Sequence, residues 1–157
     1  MRKREMKICL TSSSGGHLSQ IFQLIPIVKE YSYFFITEKN MTTASLRQQH
    51  KVYYLQQQER KNLFFLFVFL RNIWLSLLYV WKEKPSVVIS TGAGATFPVC
   101  LFGKLMGAQI IFIESFAKVH SPTITGRMVY PLADRFYIQS QGLKKFYPKA
   151  EYKGGIY

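Results

Sequence analysis

Acidic residues are scarce: 8 Asp and Glu stand against 21 Lys and Arg, a formal charge of +13 on 157 residues, and Asp134 is the only aspartate. So few carboxylates offer no pair suited to a divalent cation, and no metal is expected. The positive surplus favours anionic partners such as phosphate head groups, nucleotides or nucleic acid. Cysteine is almost missing. Cys9 and Cys100 lie in apolar stretches without CxxC or Cys/His spacing, which excludes a disulfide scaffold or structural zinc site and fits the reducing cytosol. The apolar run of MRKREMKICL breaks at once into residues 11–16, too short for a signal-peptide core, so secretion is not expected. There is no GxxxxGK[ST] and no GxGxxG, hence neither a P-loop nor a dinucleotide fingerprint. Repeats and low-complexity linkers are lacking too, so residues 1–157 read as one domain.

With 48% apolar residues the chain can bury a core unaided. Residues 6–10 are strand-like and run through a Ser/Gly turn into Leu18, Ile21, Phe22, Ile25 and Val28 at helical spacing, with a kink or stop predicted near Pro26. Residues 31–37, 51–55, 86–91, 109–114 and 135–138 read as further strands, and 38–49 as loop or weak helix. Helices are predicted near 95–106 and from the Ser121-Pro122 pair, as N-cap and first turn, towards Leu132. Alternation of this kind implies an α/β fold, a Rossmann-like doubly wound parallel sheet.

Residues 62–81 carry one charge, Arg71, in twenty positions, enough length for a membrane span. The strands on either side must pair in one sheet, so a full crossing contradicts the fold. At 100° per residue Lys61, Asn72, Ser76, Tyr79 and Glu83 share a narrow face, leaving a wide apolar arc of Phe, Leu, Ile and Trp; Phe64, Phe65, Phe67, Leu70, Trp74 and Trp81 are the candidate membrane residues. Arg60, Lys61, Lys82 and Lys84 flank it, and its Trp and Tyr residues suit an interface. The expectation is a helix or helical hairpin dipping into the cytoplasmic leaflet, where basic neighbours contribute about 1 kcal/mol each. A crossover helix packed wholly on the sheet is the alternative.

Ligands of open parallel sheets bind beyond the carboxyl ends of the strands. Four loops fall there. Ser14, Gly15 and Gly16 let backbone N–H groups approach an anion, and His17, kept neutral at a helix N-terminus, suits a base or a hydroxyl partner. A structural turn with a capping histidine would read the same. Thr91, Gly92 and Gly94 form a second small-residue turn, which close strand–helix packing would also select. In the third, Glu114 leaves a buried strand and His120 precedes Ser121; the carboxylate suits deprotonation of an acceptor hydroxyl or a loop-anchoring role. The fourth, residues 139–141, offers polar amides only.

In order along the chain, Ser14-Gly15-Gly16-His17-Leu18, Ser90-Thr91-Gly92-Ala93-Gly94 with Pro98, Ile113-Glu114-Ser115, and Arg127 before Tyr130-Pro131-Leu132-Ala133-Asp134 resemble the asparagine-linked glycosylation protein fourteen family. That family includes bacterial capsule and exopolysaccharide subunits known as glycosyltransferase enhancers. More distantly the pattern is similar to the acceptor domain of the peptidoglycan GlcNAc transferase that makes lipid II. The resemblance implies the N-terminal, membrane-bound half of a split GT-B glycosyltransferase. A separate donor-binding subunit would hold most of the UDP-sugar, with no tightly bound cofactor here, and a polyprenyl-diphosphate-linked saccharide would be the acceptor. It implies His17 and Glu114 as catalytic residues, acceptor contacts at the glycine loops and His120, and a docking tail at Gly154, Gly155, Ile156 and Tyr157. The eukaryotic members' N-terminal transmembrane helix is not matched, and residues 62–81 are the candidate substitute, placing the protein at the cytoplasmic face of the membrane. Two rival readings remain: a self-sufficient one-domain nucleotide-sugar transferase, and a nucleic-acid binder, disfavoured because Lys and Arg are scattered.

Overall fold

Seven parallel strands form one sheet in the order β3-β2-β1-β4-β5-β6-β7. The computed structural model describes residues 6–58 and 64–156. The strands are β1 (Lys7–Ser12), β2 (Ser32–Lys39), β3 (Val52–Gln56), β4 (Val87–Gly92), β5 (Gln109–Ile113), β6 (Arg135–Ile138) and β7 (Glu151–Tyr152). The helices are α1 (Gly16–Phe22), α2 (Ile25–Val28), α3 (Phe65–Glu83), α4 (Phe97–Leu105) and α5 (Ile124–Val129). The order reverses between β1 and β4, which are neighbours paired from Ile8↔Val87 to Ser12↔Gly92. A ligand crevice belongs at that reversal.

The strands form because their residues alternate between two buried layers. Cys9, Phe34, Ile36, Val88, Ile110 and Phe112 face one side, over which α3 and α4 pack, while Ile8, Leu10, Phe35 and Val87 face the other with Leu18 and Ile21 of α1. Both cysteines are buried free thiols, and burial pushes Cys100 up to about 12. At Gly103, a Cβ would lie 2.7 Å from Val88 Cγ2, so only glycine lets α4 come this close to the sheet.

Several boundaries differ from the sequence reading. The first helix breaks at Gln23 and Leu24, before Pro26, which occupies the first turn of α2, where a missing N–H costs nothing. The cap of α5 is Thr123, whose side chain accepts from the Gly126 N–H at 2.8 Å, not Ser121. The two-residue β7 is an addition.

The apolar segment is a single 19-residue helix, α3, the crossover from β3 to β4. By length and composition it could cross a membrane. Its polarity is inverted. Asn72, Ser76 and Glu83 point inward and are buried, while Phe67, Trp74 and Trp81 are 66%, 64% and 62% exposed. The inward polar groups fasten the helix to the edge of the sheet. Asn72 pairs with the Gln56 backbone and Tyr79 Oη donates to the Tyr54 carbonyl, while Ser76 Oγ donates back to the Asn72 carbonyl within the helix. Glu83 accepts from Lys7 and Tyr53 and pairs with Lys51 at 2.8 Å. Phe64 and Leu70 join the exposed stripe, but Phe65 is a correction: half-buried, it turns towards α4 and does not share the outer face. Arg60, Lys61 and Asn62 lie outside the described residues.

Candidate functional site

At the carboxyl ends of β1 and β4 the chain makes two abrupt turns. Gly15 adopts φ +75°, a left-handed conformation open to glycine, and its carbonyl then accepts from Leu18 and Ser19 to start α1. At the last residue of β4, Gly92 has φ +100°, and a Cβ there would lie 3.5 Å from the His17 ring. Ala93 follows at φ 77°, ψ 174°, a region that is strained for any residue with a Cβ.

These turns meet at His17. Its Nδ1 lies 2.7 Å from the Thr91 carbonyl, and Thr91 Oγ1 donates to the His17 carbonyl at 2.7 Å. A carbonyl can only accept, so Nδ1 carries the proton. In the neutral ring Nε2 is then left with a lone pair. His17, Gly92, Ala93 and Gly94 line a cleft of about 260 Å³ together with Lys118, Pro122, Thr123, Ile124 and Thr125. The cleft brings a cation, a proton acceptor and the start of the helical segment 94–105 to the reversal of strand order. It suits an anionic ligand that carries a hydroxyl. Ser14, Gly15 and Gly16 flank it as the turn before His17, and Thr91 is buried beneath it.

Glu114 is a correction. It is 1% exposed, and its carboxylate accepts from Ser115 N, Thr123 N, Thr123 Oγ1 and Tyr147 Oη. Both oxygens are committed. The residue anchors the loop that carries Thr123 into the cleft, so it supports the wall and offers the substrate no free base. Burial and the bond to Glu114 push the Tyr147 phenol up. His120 is corrected as well: exposed beside Gly142, it is absent from the cleft lining.

Lys118, Thr123 and Glu38, which the sequence reading did not single out, matter here. Lys118 and Thr123 line the cleft, and a loop sequence does not reveal which of its side chains turn inward. Glu38, at the carboxyl end of β2, is buried; burial pushes its carboxyl up, against the pull of the Gln58 and Ser14 backbone N–H groups and of His17. Gln139 donates to Gln20 Oε1 at 2.6 Å and to the Glu114 carbonyl, and accepts from Ile156 N at 2.9 Å. It thereby ties β6, α1 and the C-terminal segment together. Gly154 is left-handed at φ +88°, and Gly155 packs near Phe116. Tyr157 lies outside the described residues. Asp134 is structural, accepting from Lys104 Nζ at 2.6 Å and Ile110 N at 2.8 Å.

A doubly wound parallel sheet with its cleft at the strand reversal is the fold of one half of several sugar-nucleotide enzymes. The structure matches MurG of Acinetobacter baumannii with a TM-score of 0.72 at 15% identity, over 87% of this chain and 42% of that one. It matches UDP-N-acetylglucosamine 2-epimerase of Rickettsia bellii with a TM-score of 0.73 at 11% identity, over 98% and 46%. The chain thus spans less than half the length of either, and at these identities the likeness is one of fold.

Residues 8–156 match the family described as "Oligosaccharide biosynthesis protein Alg14 like", and the chain belongs to that family. Among its relatives are the proteins named UDP-N-acetylglucosamine transferase subunit ALG14 of Rattus norvegicus, 28% identical over 98% of this chain and 84% of the relative, and of Homo sapiens, 25% identical over the same shares.

Proposed function

We propose that this chain is the acceptor-side subunit of a two-component glycosyltransferase in polysaccharide synthesis, working at the cytoplasmic face of the membrane. A donor-binding partner presents a UDP-sugar, and the sugar passes to a hydroxyl of a polyprenyl-diphosphate-linked saccharide seated on this chain. The observation that carries the reading is the His17 cleft: a ring whose tautomer is set by Thr91, lining a cationic pocket at the strand reversal. Support comes from the family and from the outward apolar face of α3, which would hold the subunit where a lipid-linked acceptor resides.

In the proposed step the acceptor hydroxyl gives its proton to His17 Nε2 as its oxygen attacks the anomeric carbon. The bond from that carbon to the nucleotide diphosphate breaks, and UDP leaves with the bonding pair. His17 acts as general base, and Thr91 positions it. Lys118 and the start of the 94–105 helical segment hold the acceptor's diphosphate. The C-terminal segment at Gly154, Gly155, Ile156 and Tyr157 docks the partner.

Reconstitution tests this. The chain and a donor-binding partner, placed on liposomes with a polyprenyl-diphosphate-linked saccharide, are expected to transfer labelled sugar from UDP-GlcNAc only when both subunits are present. His17→Ala should lower the rate by about 10²–10⁴-fold. Turnover by this chain alone, or none by the pair, overturns the reading.

A further inference from the structure

The cleft does not end at Gly94. Gly94, Ile124 and Thr125 also line a second cavity of about 330 Å³ between α3, α4 and α5. Its remaining walls are mostly hydrocarbon: Phe69, Ile73, Phe97, Leu101 and Met128. Phe65 and Phe69 stack at 6.1 Å to form the α3 side of this groove.

One polar side chain marks the junction. Gln58 lines the groove, and its Oε1 lies 3.8 Å from where a Cβ on Gly94 would stand. Its Nε2 is buried without a hydrogen-bond partner among the described residues. Passing from cleft to groove, a ligand therefore meets the Lys118 cation, then the Gln58 amide, then apolar walls. Such a sequence selects a molecule that turns from anionic to hydrocarbon within a few bonds. A nucleotide-sugar has no hydrocarbon end. An isoprenyl diphosphate has its diphosphate directly on the first prenyl unit, and the charge of the cleft complements it.

We propose that this groove receives the diphosphate-proximal isoprene units of the acceptor, with the Gln58 amide turning to donate to a diphosphate oxygen at the junction. The lipid would then be recognised by protein as well as by the bilayer. The inference rests on the acceptor reading above and adds where the lipid lies.

The test is photolabelling of the purified subunit in detergent micelles with a benzophenone-tagged geranyl diphosphate. Adducts are expected on peptides carrying Leu101 and Met128, with farnesyl diphosphate competing about tenfold better than inorganic pyrophosphate. Met128 is 44% exposed at the groove rim, so Met128→Trp should fill the groove without disturbing the core and cut labelling by about tenfold, while Met128→Leu retains it. Adducts confined to Phe67, Leu70 and Trp74, or labelling indifferent to Met128→Trp, overturn the groove while the two-subunit transfer assay still succeeds. Failure of that assay as well would overturn the acceptor reading itself.

Discussion

The side chain of Asn72 treats the backbone of Gln56 as a neighbouring strand would. Its Nδ2 donates to the Gln56 carbonyl at 2.7 Å, and its Oδ1 accepts from the Gln56 N–H at 2.8 Å. Edge strand β3 is closed by a helix side chain, and α3 is held at a fixed rotation. Asn72→Leu, similar in bulk, should cost about 1–2 kcal/mol because it leaves two partly buried backbone groups of Gln56 without their partner. The urea midpoint of the detergent-solubilised protein measures it; an unchanged midpoint would show that the helix does not depend on this pair.

With rotation fixed, the outer face follows. Phe67→Ser, Leu70→Ser and Trp74→Ser together should move the protein from liposome pellets to the supernatant, whereas Phe65→Ser, on the inner side, should leave it with the pellet. Cosedimentation distinguishes the two.

Glu83 is buried at the far end of the same helix. Burial alone would raise its carboxyl, but hydrogen bonds from Lys51, Tyr53 and Lys7 outweigh it and bring the group from 4.5 to about 2. A folded pKa below the unfolded one adds stability that is complete above about pH 4.5 and drains away as the pH falls towards 2. With Lys51 more than half exposed, the contribution is on the order of 2 kcal/mol. Glu83→Gln should flatten the acid limb of a stability–pH profile between those values; an identical limb would assign it to other groups.

Two neighbouring residues of the turn at the end of β4 should respond in opposite directions. Ala93→Gly relieves a left-handed alanine and should stabilise the fold by about 1 kcal/mol. Gly92→Ala introduces the same strain beside the His17 ring, costing about 1–2 kcal/mol and lowering transfer in the two-subunit assay. Thermal midpoints and initial rates report both.

Gly126 sits where a Cβ would come within 2.2 Å of Glu114 Oε2 and 2.5 Å of Tyr147 Oη. Gly126→Ala should therefore cost about 3 kcal/mol by forcing α5 off the Glu114 anchor. Tyr147→Phe removes one bond to that anchor and should cost about 2 kcal/mol. Denaturation curves of the two variants rank them, and equal costs would contradict the crowding argument.

The strands were legible because runs such as residues 86–91 and 109–114 carry unbroken apolar cores (87–89 and 110–113) with no other stable home, and β6 matched its expected bounds. β7 was not, since two residues carry no periodicity. Strand–turn–helix logic put the His17 and Gly92 loops at one edge of the sheet; that they touch follows from β1 and β4 being neighbours, which the sequence does not state. Glu114 misled because its fate is decided by Tyr147, 33 positions away, and no local pattern announces that partner. Phe65 was grouped with Phe67 on apolarity alone: at 100° per residue it lies 200° from Phe67 and only 20° from Asn72. It takes the Asn72–Gln56 pair to say which arc turns inward.

As a crossover, α3 leaves the carboxyl end of β3 and returns to the amino end of β4, so it runs counter to the strands over about 28 Å. With that helix resting flat on a bilayer, every strand lies along the membrane plane. On the proposed two-subunit reading, the His17 pocket at the carboxyl ends of the strands would then open along the membrane, and a donor-carrying partner would approach parallel to the lipid surface.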